Sequence, residues 1–329
     1  PLEAASMGVE LDNNETAFRC NMVTLNHHES GKVTMVDFAA GHITSEESAQ
    51  LIKSLQKECG DDWATFHPGI SYRNLVVING NYTDITPVPP HDYIEKDVTE
   101  HWNRYMADPR WKELLEKAAR VLENHPVNKA RIAAGKNPAN MVWLWGEGKM
   151  PDPPTLKSKF NITGTMISAV DLLKGLGVVA GLDVAQVEGA TGYIDTNYLG
   201  KAEAAIEALK TQDFVFVHLE GPDEAGHQGL VNDKIQAIED LDEKIVKHIT
   251  DHLIKSDEDF RVVVTMDHFT PLALRTHTSE PVPVLLYDSR GIKNPSGLSF
   301  SEENGHLADN TSNNSLPDGY KLINKLLEQ

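Results

Sequence analysis

Cysteine is nearly absent from this chain. Only Cys20 and Cys59 occur in 329 residues. They form no C-x-x-C pattern, and at most one disulfide, which fits a reducing, cytoplasmic setting. Positive charge is also scarce: 30 Lys and Arg face 49 Asp and Glu, a formal net charge of -19. A surface of that sign argues against nucleic acid as a partner, because phosphate backbones need a basic footprint. It does not exclude a small anionic substrate, since a local cluster of Arg, Lys or metal reverses the field inside a cleft. No apolar run approaches the roughly 18 residues of a membrane helix, so no membrane partner is expected. Neither a signal peptide nor an internal repeat is visible. The first residue is Pro1 rather than Met, and a truncated or processed start is expected.

What is present suits two domains or one large one. Ala17 to Leu25 and Lys32 to Phe38 carry the apolar and β-branched residues of two strands. The polar stretch 26–31 between them predicts a hairpin. Thr44 and Glu47 make a capping-box signature ahead of a helix that buries Leu51, Ile52 and Leu55. Ser71 to Ile78 is another strand, with Arg73 inside it. Residues 96–135 read as helix, broken at Asp108-Pro109 and around Pro126. This first half has an α+β layout. From Gly164 onward strands alternate with helices, the pattern of a mostly parallel sheet with helices on both faces. In that half, Asp213 to Leu219, Arg261 to Met266 and Val282 to Tyr287 read as strands. Asp233 to Lys255 reads as a helix with Ile235, Ile238, Ile245, Ile249 and Leu253 on its core face.

Two strand-end clusters carry the chemistry. The first follows the apolar run 214–217 and contains Asp223 and His227, four apart and on one face if the chain turns helical there. Alone, such a pair is ordinary loop polarity. The second, Asp267-His268, ends the run Val262-Val263-Val264-Thr265-Met266, and His277 follows soon after. Ligands in α/β sheets bind outside the carboxyl ends of the strands, where both clusters fall. Oxygen and nitrogen donors without thiolate suit Zn²⁺ or Mn²⁺ better than Ca²⁺. Five such residues exceed what one catalytic metal takes and leave a second metal incomplete. A two-metal site suits phosphoryl transfer. The first half then supplies substrate contacts, with Arg19, Asp37, His42, Arg73, His91 and Asp92 as candidates. Arg19 and Arg73 lead, because a guanidinium forks onto phosphate or carboxylate.

The run His218-Leu219-Glu220-Gly221-Pro222-Asp223-Glu224-Ala225-Gly226-His227 resembles the signature of the cofactor-independent phosphoglycerate mutases of the archaeal type. Met266-Asp267-His268-Phe269-Thr270-Pro271 and His277-Thr278-Ser279-Glu280-Pro281-Val282-Pro283 resemble the next two motifs. Ala17-Phe18-Arg19-Cys20-Asn21, Trp143-Leu144-Trp145-Gly146 and Gly189-Ala190-Thr191-Gly192-Tyr193-Ile194-Asp195-Thr196 do the same. The resemblance implies an α/β, alkaline phosphatase-like core with an inserted α+β substrate-binding cap. The expected division is 1–16 as a remnant of the core, 17–138 as the cap and 139–329 as the metal-binding core. It implies two divalent metals, one on Asp223, His227 and His277, the other on Asp267 and His268. Mn²⁺ is the first choice, with Mg²⁺, Zn²⁺ and Co²⁺ compatible. Arg19, Asp37, His42 and Arg73 are the expected substrate contacts. The implied reaction moves a phosphoryl group between the 3- and 2-hydroxyls of glycerate through a phosphoserine.

In the family an N-terminal segment supplies that serine and an Asp ligand. Pro1-Leu2-Glu3-Ala4-Ala5 resembles the segment after both, and Ser6 matches nothing. The chain by itself is therefore expected to bind the second metal weakly and to turn over little. Two alternatives stay open: a related phosphotransferase, such as the branch proposed to act on homoserine, and a non-catalytic metal-binding remnant.

Overall fold

The computed structural model describes every residue except 81, 83–86, 292–295, 313, 314, 328 and 329. By its internal contacts the chain divides into two units: residues 1–160 with 171–182, and residues 161–170 with 183–329.

The first unit begins with helix α1 (Leu2–Ser6) and strand β1 (Glu15–His27), then β2 (Val33–Asp37), helix α2 (Ser45–Cys59), β3 (Ala64–Ile70) and β4 (Arg73–Asn79). Helices α3 (Thr99–Ala107), α4 (Pro109–Asn124) and α5 (Pro126–Ala133) follow, then β5 (Met141–Gly148), α6 (Leu156–Phe160) and α7 (Asp171–Val179). The five strands form one antiparallel sheet in the order β2-β1-β4-β3, with β5 also paired to β1. The expected hairpin is present, with Leu25 opposite Met35 and His27 opposite Val33. Thr44 and Glu47 close the capping box that starts α2, whose Leu51, Ile52 and Leu55 are fully buried. Pro109 and Pro126 each open a helix, where a missing N–H costs nothing. The Asp108 carboxylate caps α4 by accepting from the Arg110 and Trp111 N–H groups. Trp111 lies fully buried against Phe18, Trp63 and Tyr105 and anchors the core of this unit.

Three features differ from expectation. The seam foreseen at 138/139 lies inside the first unit, because β5 runs along β1 with Asn21 opposite Trp143. An apolar run that completes one sheet reads the same as one that opens another. Residues 1–16 group with this unit as well: α1 packs so closely on α7 that a Cβ on Gly175 would lie 1.9 Å from the Leu2 carbonyl oxygen. Strand β3 has no clear pattern, because Pro68 and Gly69 interrupt it where the register shifts.

The second unit holds β6 (Gly164–Ile167), β7 (Asp183–Val184), helix α8 (Tyr198–Leu209), β8 (Phe214–Val217), α9 (Gly221–Gln228), α10 (Val231–Leu241) and α11 (Lys247–Lys255). It continues with β9 (Arg261–Thr265), β10 (Val284–Asp288), α12 (Glu302–Ser312) and α13 (Leu322–Leu327). The parallel sheet has the order β7-β6-β8. Strands β9 and β10 pair with each other, antiparallel.

A π-helical turn over Asp242–Val246 joins α10 to α11. It corrects the expected core face: Ile245 is buried, whereas Ile235 and Ile238 are each half exposed. The wider turn takes up one extra residue, which swings everything after it by about 100° relative to an uninterrupted helix. No helix among the described residues is long and apolar enough to cross a membrane.

Candidate metal centre and substrate contacts

The site is built at the carboxyl ends of strands in the second unit. Strand β8 ends at Val217 and the chain turns into α9, opened by Gly221 and Pro222. Asp223 sits in the first turn and His227 one turn later, on one face as the spacing predicts. Gly229 ends the helix at φ +73°, a left-handed conformation that favours glycine. A Cβ there would stand 2.7 Å from the Arg275 guanidinium. Gly226 has a similar role, since its Cβ would lie 2.7 Å from the Thr270 carbonyl oxygen. Small residues thus let α9 approach the 267–277 segment.

That approach assembles the ligands. His227 Nε2 lies 3.3 Å from Asp223 Oδ2, His277 Nε2 lies 3.4 Å from Asp223 Oδ1, and the two Nε2 atoms are 2.9 Å apart. Asp223, His227 and His277 form a group whose ligand atoms all fall within 4.8 Å of one another. Two imidazole lone pairs at 2.9 Å repel, so a proton or cation belongs between them. Separations of 2.9–3.4 Å match the roughly 3.0–3.4 Å edges of a polyhedron with ~2.1 Å bonds. The donor set therefore fits a divalent ion. His227 Nδ1 lies 3.0 Å from the Arg275 carbonyl oxygen. Donating its proton there leaves Nε2 as a lone pair aimed at the ion, the usual outer support of a ligating histidine. Arg275 reaches this position with φ +53°, a strained angle for a side-chain-bearing residue.

Asp267 and His268 come beside the triad. The His268 ring stacks on His277 at 3.7 Å between centroids, tilted by 30°, and His268 Nε2 is 3.3 Å from Asp267 Oδ2. Thr270, almost fully buried, donates its hydroxyl to Asp223 Oδ1, and Lys234 Nζ donates to the Thr270 carbonyl at 2.7 Å. Burial lowers the Lys234 pKa, while Asp223 and Glu302 oppose the shift. Thr270, Lys234 and Arg275 are the residues that sequence reasoning missed. Thr270 lies in a recognised motif, but a threonine beside a proline carries no signal of a carboxylate partner. Arg275 acts through its main chain, which no side-chain pattern reveals.

The expected substrate contacts lie in the first unit. Arg19 on β1 stands opposite Trp145 on β5, with its guanidinium 4.7 Å from the indole centroid, and pairs with Glu3. Arg73 lies 5.6 Å over the Tyr72 ring, exposed. Phe38 touches the rings of His42, Tyr72 and His91 at 5.3–6.4 Å, and His91 lies 5.5 Å from Trp145. One aromatic cluster thus links Arg19, His42, Arg73 and His91. His42 belongs to three consecutive left-handed residues, with Ala40 at φ +47°, Gly41 at +65° and His42 at +49°. Asp37 holds this loop, accepting from the Ala39 and Gly41 N–H groups at 2.8 and 2.7 Å and from Asn137 Nδ2 at 3.1 Å. Its carboxylate is therefore engaged in shaping the loop. Asp92 is exposed, 3.7 Å from His91 Nε2.

The carboxylate–imidazole triad offers a donor set for a divalent ion, and a family model described as the Metalloenzyme superfamily matches residues 15–314, which makes the class a divalent-metal enzyme. The 2,3-bisphosphoglycerate-independent phosphoglycerate mutase of Methanosarcina barkeri is 49% identical over 304 residues, 92% of this chain and 75% of that relative. A probable enzyme of the same name from Geobacter sulfurreducens is 44% identical across 100% of this chain and 81% of its own length. Among solved structures, a Pyrococcus horikoshii protein matches with TM-score 0.72 and 26% identity over 93% of this chain and 72% of its own. The cofactor-independent phosphoglycerate mutase of Thermoplasma acidophilum matches with TM-score 0.57 and 24% identity over 93% and 75%, a likeness of fold. The chain belongs to the cofactor-independent phosphoglycerate mutases, with their alkaline phosphatase-like fold.

Proposed function

We propose that this chain takes part in the interconversion of 3-phosphoglycerate and 2-phosphoglycerate through a phosphoserine on the enzyme. The observation that carries this reading is the triad, with its His227 tautomer fixed by the Arg275 carbonyl. Asp223, His227 and His277 would hold one divalent ion and Asp267 and His268 would contribute to a second, with oxygen and nitrogen donors that suit Mn²⁺ or Zn²⁺. Bound there, the pair supplies Lewis-acid charge to phosphoryl oxygens and activates a hydroxyl nucleophile. The side chains do the rest: Thr270 orients the Asp223 carboxylate and Lys234 steadies the Thr270 main chain.

Arg19, Arg73 and His42 bind the carboxylate and phosphate of the substrate. Arg73 has no carboxylate partner among the described residues, which suits an anion. The Asp37 carboxylate is held by two N–H groups and an amide, whereas Asp92 is exposed beside His91.

Phosphorus NMR tests the reading. The complete gene product is incubated with 3-phosphoglycerate and Mn²⁺ without bisphosphoglycerate. Appearance of 2-phosphoglycerate supports the mutase. Release of free phosphate means that water is the acceptor, and an unchanged spectrum rejects this substrate.

A further inference from the structure

Three residues other than glycine adopt left-handed backbone angles at two turns of the first unit that also carry candidate substrate contacts. Ala40, at φ +47°, and His42, at +49°, flank Gly41 in the loop between β2 and α2. Ser71, at φ +55°, opens the two-residue turn between β3 and β4, which closes with Ile70 opposite Arg73. The first position of such a turn favours glycine. A side chain kept at these angles is strained, and it persists only where the surroundings hold it.

Here they do. Ser71 Oγ donates to the Ile43 carbonyl at 2.6 Å, and the Ser71 N–H donates to Ser45 Oγ at 2.9 Å. The two strained turns are therefore clasped to each other. At the base of the first loop lies Arg131, 3% exposed, which donates to the Ala40 and Asn137 carbonyls and pairs with Glu47. The hairpin is the fixed side of the clasp, since Arg73 already belongs to the sheet.

Each turn presents an exposed donor beside one ring. The His42 ring lies 6.3 Å and the Arg73 guanidinium 5.6 Å from the centroid of Tyr72. An imidazole and a guanidinium around one ring suit one small anionic molecule. Glycine at position 71 would make the turn without strain but would forfeit the hydroxyl that reaches Ile43.

We propose that Ser71 is a positioning residue for substrate binding, whose hydroxyl ties the His42 loop to the hairpin and so fixes His42 relative to Arg73. This rests on the reading of His42 and Arg73 as substrate contacts. Ser71 acts through the Ile43 main chain, one residue from His42, and not by touching the substrate.

The test is steady-state turnover of 3-phosphoglycerate by the complete gene product with Mn²⁺. Ser71→Ala removes the hydroxyl and leaves the backbone angle as strained as before. It is expected to raise KM about three- to tenfold, with kcat kept within about twofold. In a His42→Ala background the same substitution is expected to change KM by less than about 1.5-fold, because the group it positions is gone.

A clasp that serves stability alone gives another pattern: a lower thermal midpoint with KM unchanged, or the same KM ratio in both backgrounds. Either result overturns the proposal and leaves the mutase reading standing. A KM unaltered by His42→Ala removes His42 as a contact and the proposal with it. Absence of turnover by the unsubstituted protein overturns the mutase reading and this proposal together. Should the alanine variant not fold, Ser71→Gly, which suits the angle and also lacks the hydroxyl, carries the same expectations.

Discussion

At the scale of single residues, the site depends on atoms outside the candidate ligand set. Thr270 holds the Asp223 carboxylate, and the Arg275 carbonyl holds the His227 tautomer. Thr270→Ala is expected to weaken Mn²⁺ binding by about 10- to 100-fold while leaving the fold intact. Calorimetric titration checks this, and an unchanged affinity would mean that Asp223 is oriented by something else. His227→Ala is expected to remove a full equivalent of metal and abolish mutase activity, with metal content and turnover measured on the same sample. Retention of both would reject His227 as a ligand. Four of the ligand candidates, Asp223, His227, Asp267 and His268, stand out in the sequence because they follow the ends of apolar strand runs, and His277 because it follows them in the loop before β10. Their supports do not, because a threonine hydroxyl and a main-chain carbonyl leave no pattern in residue type.

At the scale of elements, close approach decides more than propensity. Gly226 lies inside α9, where alanine in an isolated helix gains about 1 kcal/mol. Here its Cβ would press the Thr270 carbonyl oxygen at 2.7 Å. Gly226→Ala is therefore expected to lower the thermal midpoint and weaken Mn²⁺ binding, although it improves the helix locally. A raised midpoint would show that the 267–277 segment yields freely. In the first unit, Thr44→Ala removes one arm of the capping box and is expected to cost about 1 kcal/mol in a denaturant titration. That box was readable from Thr44 and Glu47 alone, since capping is local. The face of the long helix was not, because the π turn at Asp242–Val246 shifts the phase by one residue.

At the scale of the whole molecule, partly buried histidines shape the response to acid. Partial burial lowers the pKa of His67, His101, His125 and His218 from the ordinary 6.5. The unfolded chain takes up protons below that value while the folded chain resists them. Unfolding free energy therefore rises with pH from the folded pKa values to 6.5 and levels off above it. The thermal midpoint at pH 5.5 is expected to lie below that at pH 7.5. Equal midpoints would mean that these imidazoles protonate as readily folded as unfolded. By itself the sequence determined most of the strands and helices, the capping box at Thr44 and Glu47, and the two acidic–imidazole clusters at strand ends. All of these follow from local periodicity, caps and residue chemistry. Only the tertiary structure decided that Met141–Gly148 closes the first sheet, and which hydroxyl and main-chain groups orient Asp223 and His227. Those depend on contacts between distant segments, whose selection is a matter of packing and not of any single stretch.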